Sequence, residues 1–206
     1  TIGSGGSLPN GWVVVSANGL TIDVVSTFTI KGYDVFRVRF HGTSSTAGYF
    51  AIGPIGVQVA AASNGQRWTA AFNLAHAAGT FANISAFAVR VRGNDSGGIQ
   101  VANSDSSSIA GTITSDMQRF PHAHTMASAS TAFAMAYPRF ACGNGVAIDV
   151  TVDYALPQLE LAGTTSWTLP TSPILSAGSA LTRTVDNVAL KAAIQAACGF
   201  SLAQGT

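Results

Sequence analysis

The chain has 206 residues, a net charge of +1 and only 9% charged residues, against roughly 25% in ordinary soluble domains. That length allows one large domain or two small ones with a full core. No run approaches the roughly 20 apolar residues of a membrane-spanning helix, so no membrane insertion is expected, and so small a net charge provides no sequence-wide field for nucleic acid.

In chain order, short alternating runs recur with turn residues between them, the pattern of a β-sandwich. Leu20–Val24, Phe36–Phe40 and Tyr49–Ile52 alternate or run apolar, the last stopping at Gly53-Pro54. The segment from Gln66 to Leu74 puts Trp68, Ala70, Phe72 and Leu74 on one face, which assigns Trp68 to the core. From Ile84 to Arg92, Phe87, Val89 and Val91 read as inward and Ala88, Arg90 and Arg92 as outward, before a turn at Gly93–Gly98. Strands are expected over Ser115–Ala127 and Phe133–Phe140, followed by an Asn-Gly turn at Cys142–Gly145. Ile148–Leu156 closes the set, with pairing expected to end or pass to an edge at Pro157, which has no N–H to donate. The count is about eight to ten strands, in line with a jelly roll of two antiparallel sheets. A short helix is expected from Asn187 to Cys198, with Asp186 or Asn187 as its cap and Gly199 as its stop. Trp12 and Trp167 are expected to pack where the chain enters and leaves the module.

Catalytic constellations are thin. Asp149 and Asp153 share a face of one strand, but four residues of strand rise set them roughly 13 Å apart, beyond the roughly 5 to 9.5 Å used by glycosidases. No Gly-x-Ser-x-Gly elbow occurs, and the chain is read as non-enzymatic. His122-Ala123-His124 places two imidazoles on one side of a strand, but no carboxylate is in register, and no metal site is assigned. Asp95 in its Gly-rich loop is a candidate ligand for structural calcium, supported by one acid only, and no other cofactor is implied. Cys142 and Cys198 do not form a disulfide framework and read as buried or free thiols.

The arginines stand out more. Arg37, Arg39 and His41 share one face of one strand, Arg90 and Arg92 share one face of another, and Arg139 lies with Phe133, Met135 and Tyr137 on a third. Guanidinium groups suit sugar hydroxyls and carboxylates, and aromatic rings stack on sugar faces. Arg37, Arg39, Arg90, Arg92, Tyr137 and Arg139 are therefore candidate glycan-binding residues, with a subunit interface or a plain solvated face as the competing readings.

Several phrases resemble a known family in their order and spacing: Leu8-Pro9-Asn10-Gly11-Trp12, the stretch from Ala61 to Thr69, Gly93–Gly98, Gly145–Thr151, and above all Leu156–Gly163 running through Thr165–Thr171 to Leu181–Val188. They resemble the carbohydrate-binding-module-like jelly rolls of bacteriophage tail-fibre and other virion proteins. The resemblance implies a jelly roll over residues 1–162, then an extended connector with a short helix over 163–206, leading to a further domain. It also implies a virion location after assembly in the host cytoplasm, other virion proteins as partners, a homotrimer, and host cell-surface polysaccharide as the ligand. The alternatives are a structural trimerisation adaptor without glycan binding, and an accessory domain of a polysaccharide-degrading spike. Phe200–Thr206 resembles the first strand of a following lectin-like sandwich, so a longer polypeptide is expected. The segment from Thr164 to Asn187 is expected to pack along the module or a neighbouring subunit, because two prolines and little periodicity leave it unable to support itself.

Overall fold

The computed structural model describes residues 6–54, 59–107 and 112–163. Those residues are all-β: eleven strands in two antiparallel sheets, a β-sandwich of the jelly-roll type. The strands are β1 (Trp12–Ser16), β2 (Thr21–Ile30), β3 (Tyr33–Thr43), β4 (Gly48–Pro54), β5 (Ala60–Ala61), β6 (Arg67–Thr80), β7 (Ile84–Asn94), β8 (Gln100–Asp105), β9 (Gln118–Thr125), β10 (Phe133–Cys142) and β11 (Ala147–Gly163). The first sheet runs β2-β3-β11-β6-β9, and the second runs β1-β4-β10-β7-β8 with β5 added beside β10. The expected helix, the connector, Trp167 and Cys198 lie outside the described residues.

Alternation builds the core. Val38 and Phe40 of β3, Val150, Val152 and Tyr154 of β11, and Phe72 and Leu74 of β6 face Phe50 and Ile52 of β4, Phe87, Val89 and Val91 of β7, and Phe140 of β10. Each is essentially without exposed surface, and burying a side chain of this size contributes roughly 1.5–3 kcal/mol. Trp68 lies in this core as expected. Trp12 also packs inward, edge-on to Phe36 at 4.6 Å and to Tyr154 at 5.9 Å. Cys142 is a buried free thiol that accepts a hydrogen bond from the Asn18 amide.

Two backbone devices set the registers. The β2–β3 hairpin turns on Lys31 and Gly32, both with positive φ, the requirement of the tight hairpin turn that matches strand twist. At Pro157 the last strand runs on past the expected close at Leu156 and passes to an edge, one of the two outcomes expected of that proline. It bulges, with Leu156 at φ +48° and the β6 register slipping by one residue between Ala155 and Gln158. Pairing with β3 ends at Ala155, while pairing with β6 continues to Gly163. A central strand thus becomes an edge at the residue that has no N–H to give. The strand β8, absent from the sequence reading, is a half-exposed polar edge.

Candidate functional site

The six arginine-centred candidates divide between the two outer faces. Arg37 and Arg39 project from β3 on the first sheet. Arg90, Arg92, Tyr137 and Arg139 belong to β7 and β10 of the second.

On the first sheet every arginine of β3 has its own carboxylate. Arg37 donates from Nε and Nη2 to the two carboxylate oxygens of Asp153, at 2.7 and 2.9 Å. Arg39 does the same to Asp149 at 2.8 Å on both arms. His41 Nε2 lies 2.8 Å from Asp23 Oδ2. The cation–carboxylate hydrogen bonds raise the pKa of Arg37, and Arg39 holds Asp149 below the usual carboxylate range. Farther along the same face, beyond the β11 bulge, Arg119 donates to Gln158 Oε1, and the Gln158 amide donates to Glu160 Oε1. Burial lowers the Arg119 pKa and the Glu160 charge opposes that shift. Beside and between the two polar groups lie small residues of β6 and β11: Thr69, Ala71, Ala75, Thr151 and Ala155, all buried. Alternation places them on the outward side, because Ala70, Phe72, Leu74, Val152 and Tyr154 occupy the core. Short side chains thus lie among two sets of longer, planar, mutually fixed polar ones, a strip called the trough. Asn73 belongs to this face, opposite Arg119 in register, and its buried Oδ1 meets no hydrogen-bond donor among the described residues. Sequence reasoning missed Asn73, Arg119, Gln158 and Glu160 because β9 and the post-bulge part of β11 become neighbours of β6 only through the fold.

On the second sheet two arginines share one carboxylate. Arg90 donates from Nε and Nη2 to both oxygens of Asp105, at 2.7 and 2.8 Å, and Arg139 Nη1 donates to Oδ2 at 3.0 Å. Burial alone would raise the Asp105 pKa, but the hydrogen bonds and charge of Arg90, with Arg139 and His122, hold it below the usual range. The Arg90 pKa is raised, chiefly by its hydrogen bond to Asp105. The Tyr49 ring lies beneath both guanidiniums, 4.4 Å from Arg139 and 5.6 Å from Arg90, and stacks on Tyr137 with its plane only 18° away. Tyr137 has no exposed surface, and burial raises its pKa. Its ring supports this cluster from below and offers no free face. Arg92 donates to Asn94 Oδ1 and to the Gly98 carbonyl, and no ion pair involves it among the described residues.

The histidine pair sits at the seam where edge strand β9 of one sheet meets β8 of the other. His122 Nε2 is 3.1 Å from Ser104 Oγ of β8. Burial lowers the pKa of both His122 and His124, and Arg67 lowers both further. Among the described residues no group of three or more His, Cys, Asp or Glu side chains is arranged to hold a metal ion. Asp95 closes its own loop, its Oδ1 accepting the backbone N–H groups of Gly97 and Ile99 at 2.9 and 2.8 Å. A cavity of about 210 Å³ opens beside the β11 bulge, lined by Pro54, Val59, Phe72, Ala136, Pro157, Gln158 and Leu159. Its lining is apolar apart from Gln158, whose amide is already engaged.

No family model matches the chain, and no curated protein is detectably similar in sequence. Solved structures do share the fold. An arabinose-bound α-L-arabinofuranosidase superposes with a TM-score of 0.50 at 17% identity, over 73% of this chain and 23% of that one. A carbohydrate-binding module of the β-sandwich superfamily gives 0.48 at 16% identity, over 73% of this chain and 57% of that one. A domain of the bacteriophage CBA120 tailspike protein 4 gives 0.42 at 10% identity, over 74% of this chain and 19% of that one. The chain therefore spans about a quarter of the arabinofuranosidase and about half of the binding-module protein. At these identities the likeness is one of fold.

Proposed function

We propose that this chain is a non-catalytic glycan-attachment module of a larger fibre or tail protein of a phage or phage-like virion. The observation that carries glycan binding is the trough on the first sheet. Sugars are recognised by planar polar side chains held in fixed positions, because a group already ordered loses little entropy on binding. Arg37 with Asp153, and Arg119 with Gln158 and Glu160, are fixed in this way by one another. The small side chains of Ala71 and Ala75 beside them are already buried, so a sugar chain would meet the long polar side chains first. A non-catalytic role is supported by the engagement of the trough's carboxylates: Asp149 and Asp153 each by an arginine, and Glu160 by Gln158. A glycosidase acid needs a carboxyl whose pKa is raised, whereas Asp149 is shifted down. Placement in a virion, attachment to host-surface polysaccharide and assembly as a homotrimer rest on the sequence resemblance and belong to the same reading.

The test is a glycan array and a host-cell pull-down with the purified chain, repeated with Arg119→Ala and Gln158→Leu. Binding that falls at least tenfold in both variants, with the melting temperature retained, is expected. An array without any signal, and no adhesion to host cells, would refute the reading. Sedimentation of the intact fibre protein checks the trimer, and a monomer would remove that part of the proposal.

A further inference from the structure

Among the described residues, the arginines of the second sheet's outer face contact fewer carboxylates than would balance them. Arg90 and Arg139 share the Asp105 carboxylate there, and Arg92 donates to Asn94 and to the Gly98 carbonyl. Three arginines against one aspartate leave two positive charges on this face, in a chain whose net charge is +1. The surplus is also partly removed from water: the Arg90 and Arg139 side chains are 11% and 18% exposed. A buried charge is stable when paired, and here two guanidiniums divide one carboxylate. Among the described residues Arg92 has neutral acceptors only, the Asn94 side chain and the Gly98 carbonyl. Tyr49 beneath Arg139 and Arg90 fixes where those guanidiniums point, so an incoming anion meets groups already placed.

We propose that this face binds a carboxylate-bearing glycan, a polyuronate or a sialylated chain, with Arg92 and Arg139 as the contacting groups and Asp105 and Tyr49 as positioning residues. The guanidinium fork matches a carboxylate in two parallel hydrogen bonds, and successive acidic sugars can engage arginines on neighbouring strands. Nucleic acid fits less well. Proteins that grip a duplex electrostatically neutralise about six to ten phosphates, and this face offers three arginines with an aspartate among them. The inference uses a different sheet and a different ligand chemistry from the trough, so either can fail alone.

Titration calorimetry of the intact chain at near-physiological salt tests it with polygalacturonate, hyaluronate and polysialate. The controls are fully methyl-esterified polygalacturonate, dextran sulfate and a single-stranded oligonucleotide. At least one of the three carboxylate polymers is expected to bind. Where polygalacturonate is the one bound, its methyl ester is expected to show no heat. Arg92→Gln with Arg139→Gln is expected to weaken binding about a hundredfold, the loss of two charge-assisted contacts. Arg92→Gln alone leaves the Arg90–Asp105–Arg139 cluster intact and separates loss of contact from loss of fold. Arg119→Ala in the trough is expected to leave this binding unchanged. Binding of the ester as tight as that of the acid overturns the proposal. So does dextran sulfate or the oligonucleotide binding as tightly as the carboxylate polymers, or silence from all three of them. Neutral glycans bound through the trough, with no carboxylate polymer bound, would sink this inference and leave the trough reading standing. No glycan bound at all would sink both.

Discussion

The same tripeptide, Arg-Val-Arg, occurs in β3 as Arg37-Val38-Arg39 and in β7 as Arg90-Val91-Arg92, with valine in the core and both arginines outside. The neighbouring strands make the two copies different. Beside β3 runs β11, whose Asp149 and Asp153 meet the arginines one to one through paired hydrogen bonds. Beside β7 runs β8, whose Asp105 is shared with Arg139 of β10, and Arg92 is left with neutral acceptors. One copy is a neutral cross-strand ladder and the other a cationic cluster. An arginine pattern read along a strand therefore says which face it occupies but not what charge that face presents. The charge depends on strand order.

The largest effect is expected from removing the shared carboxylate. Asp105→Ala leaves Arg90 and Arg139 facing each other with little exposure. Breaking a fully enclosed pair costs roughly 3–5 kcal/mol. Asp105 is 33% exposed, so water compensates in part and a loss of about 2–3 kcal/mol is expected. Urea unfolding measures it. An Asp105→Ala chain as stable as the parent would show that the two guanidiniums do not depend on that carboxylate.

The sandwich was largely legible in the sequence because alternation is a local property. Phe87, Val89 and Val91 could be assigned inward, and Arg90 and Arg92 outward, from period two alone. The strand β8 was not legible, since Gln100–Asp105 is an edge whose polar residues hide the pattern. Without it Asp105 could not be paired with Arg90. Pro157 could be read as a break in pairing or a passage to an edge, but the bulge that carries β11 on to Gly163 depends on β6 lying beside it. The trough shows the same limit. Arg119, Gln158 and Glu160 come from β9 and from beyond that bulge, and they meet only after both have docked on β6. Tyr137 illustrates the converse, because its outward phase was correct while its exposure, which depends on Tyr49 and the guanidiniums above, was not readable.

A middle-sized effect is expected at the seam, as a function of pH. His122 faces Ser104 and Asp105 of β8, His124 on its own strand, and Arg67 of β6. Both imidazoles have folded pKa values below the ordinary 6.5. In the window between the folded values and 6.5 the unfolded chain binds more protons, so stability falls as pH drops through that range. The melting temperature is expected to decline between about pH 7 and 5, and His122→Gln with His124→Gln is expected to flatten the decline. An unaltered slope in the double variant would assign the dependence elsewhere. Asp105, with its lowered pKa, adds a separate loss only in the acid range, as pH falls below the ordinary carboxylate value near 3.8.

The smallest effects belong to the ladder on the first sheet, and they should be graded. The Asp153 side chain is 8% exposed and lies beside a half-buried Arg37, whereas Asp149 and Arg39 are 54% and 43% exposed. Asp153→Ala leaves Arg37 able to turn into water, so a loss of about 1 kcal/mol is expected, chiefly from hydrogen bonds that water replaces imperfectly. Asp149→Ala should leave the urea midpoint where it is, because solvent already screens that pair and holding two long side chains together costs entropy. Raising salt to 1 M should then shift the parent and the Asp149→Ala chain equally. A midpoint that drops on Asp149→Ala, and a difference that closes at high salt, would mean the exposed end of the ladder bears on stability as the shared carboxylate does. The contrast between the two Arg-Val-Arg segments would then lie in ligand binding alone.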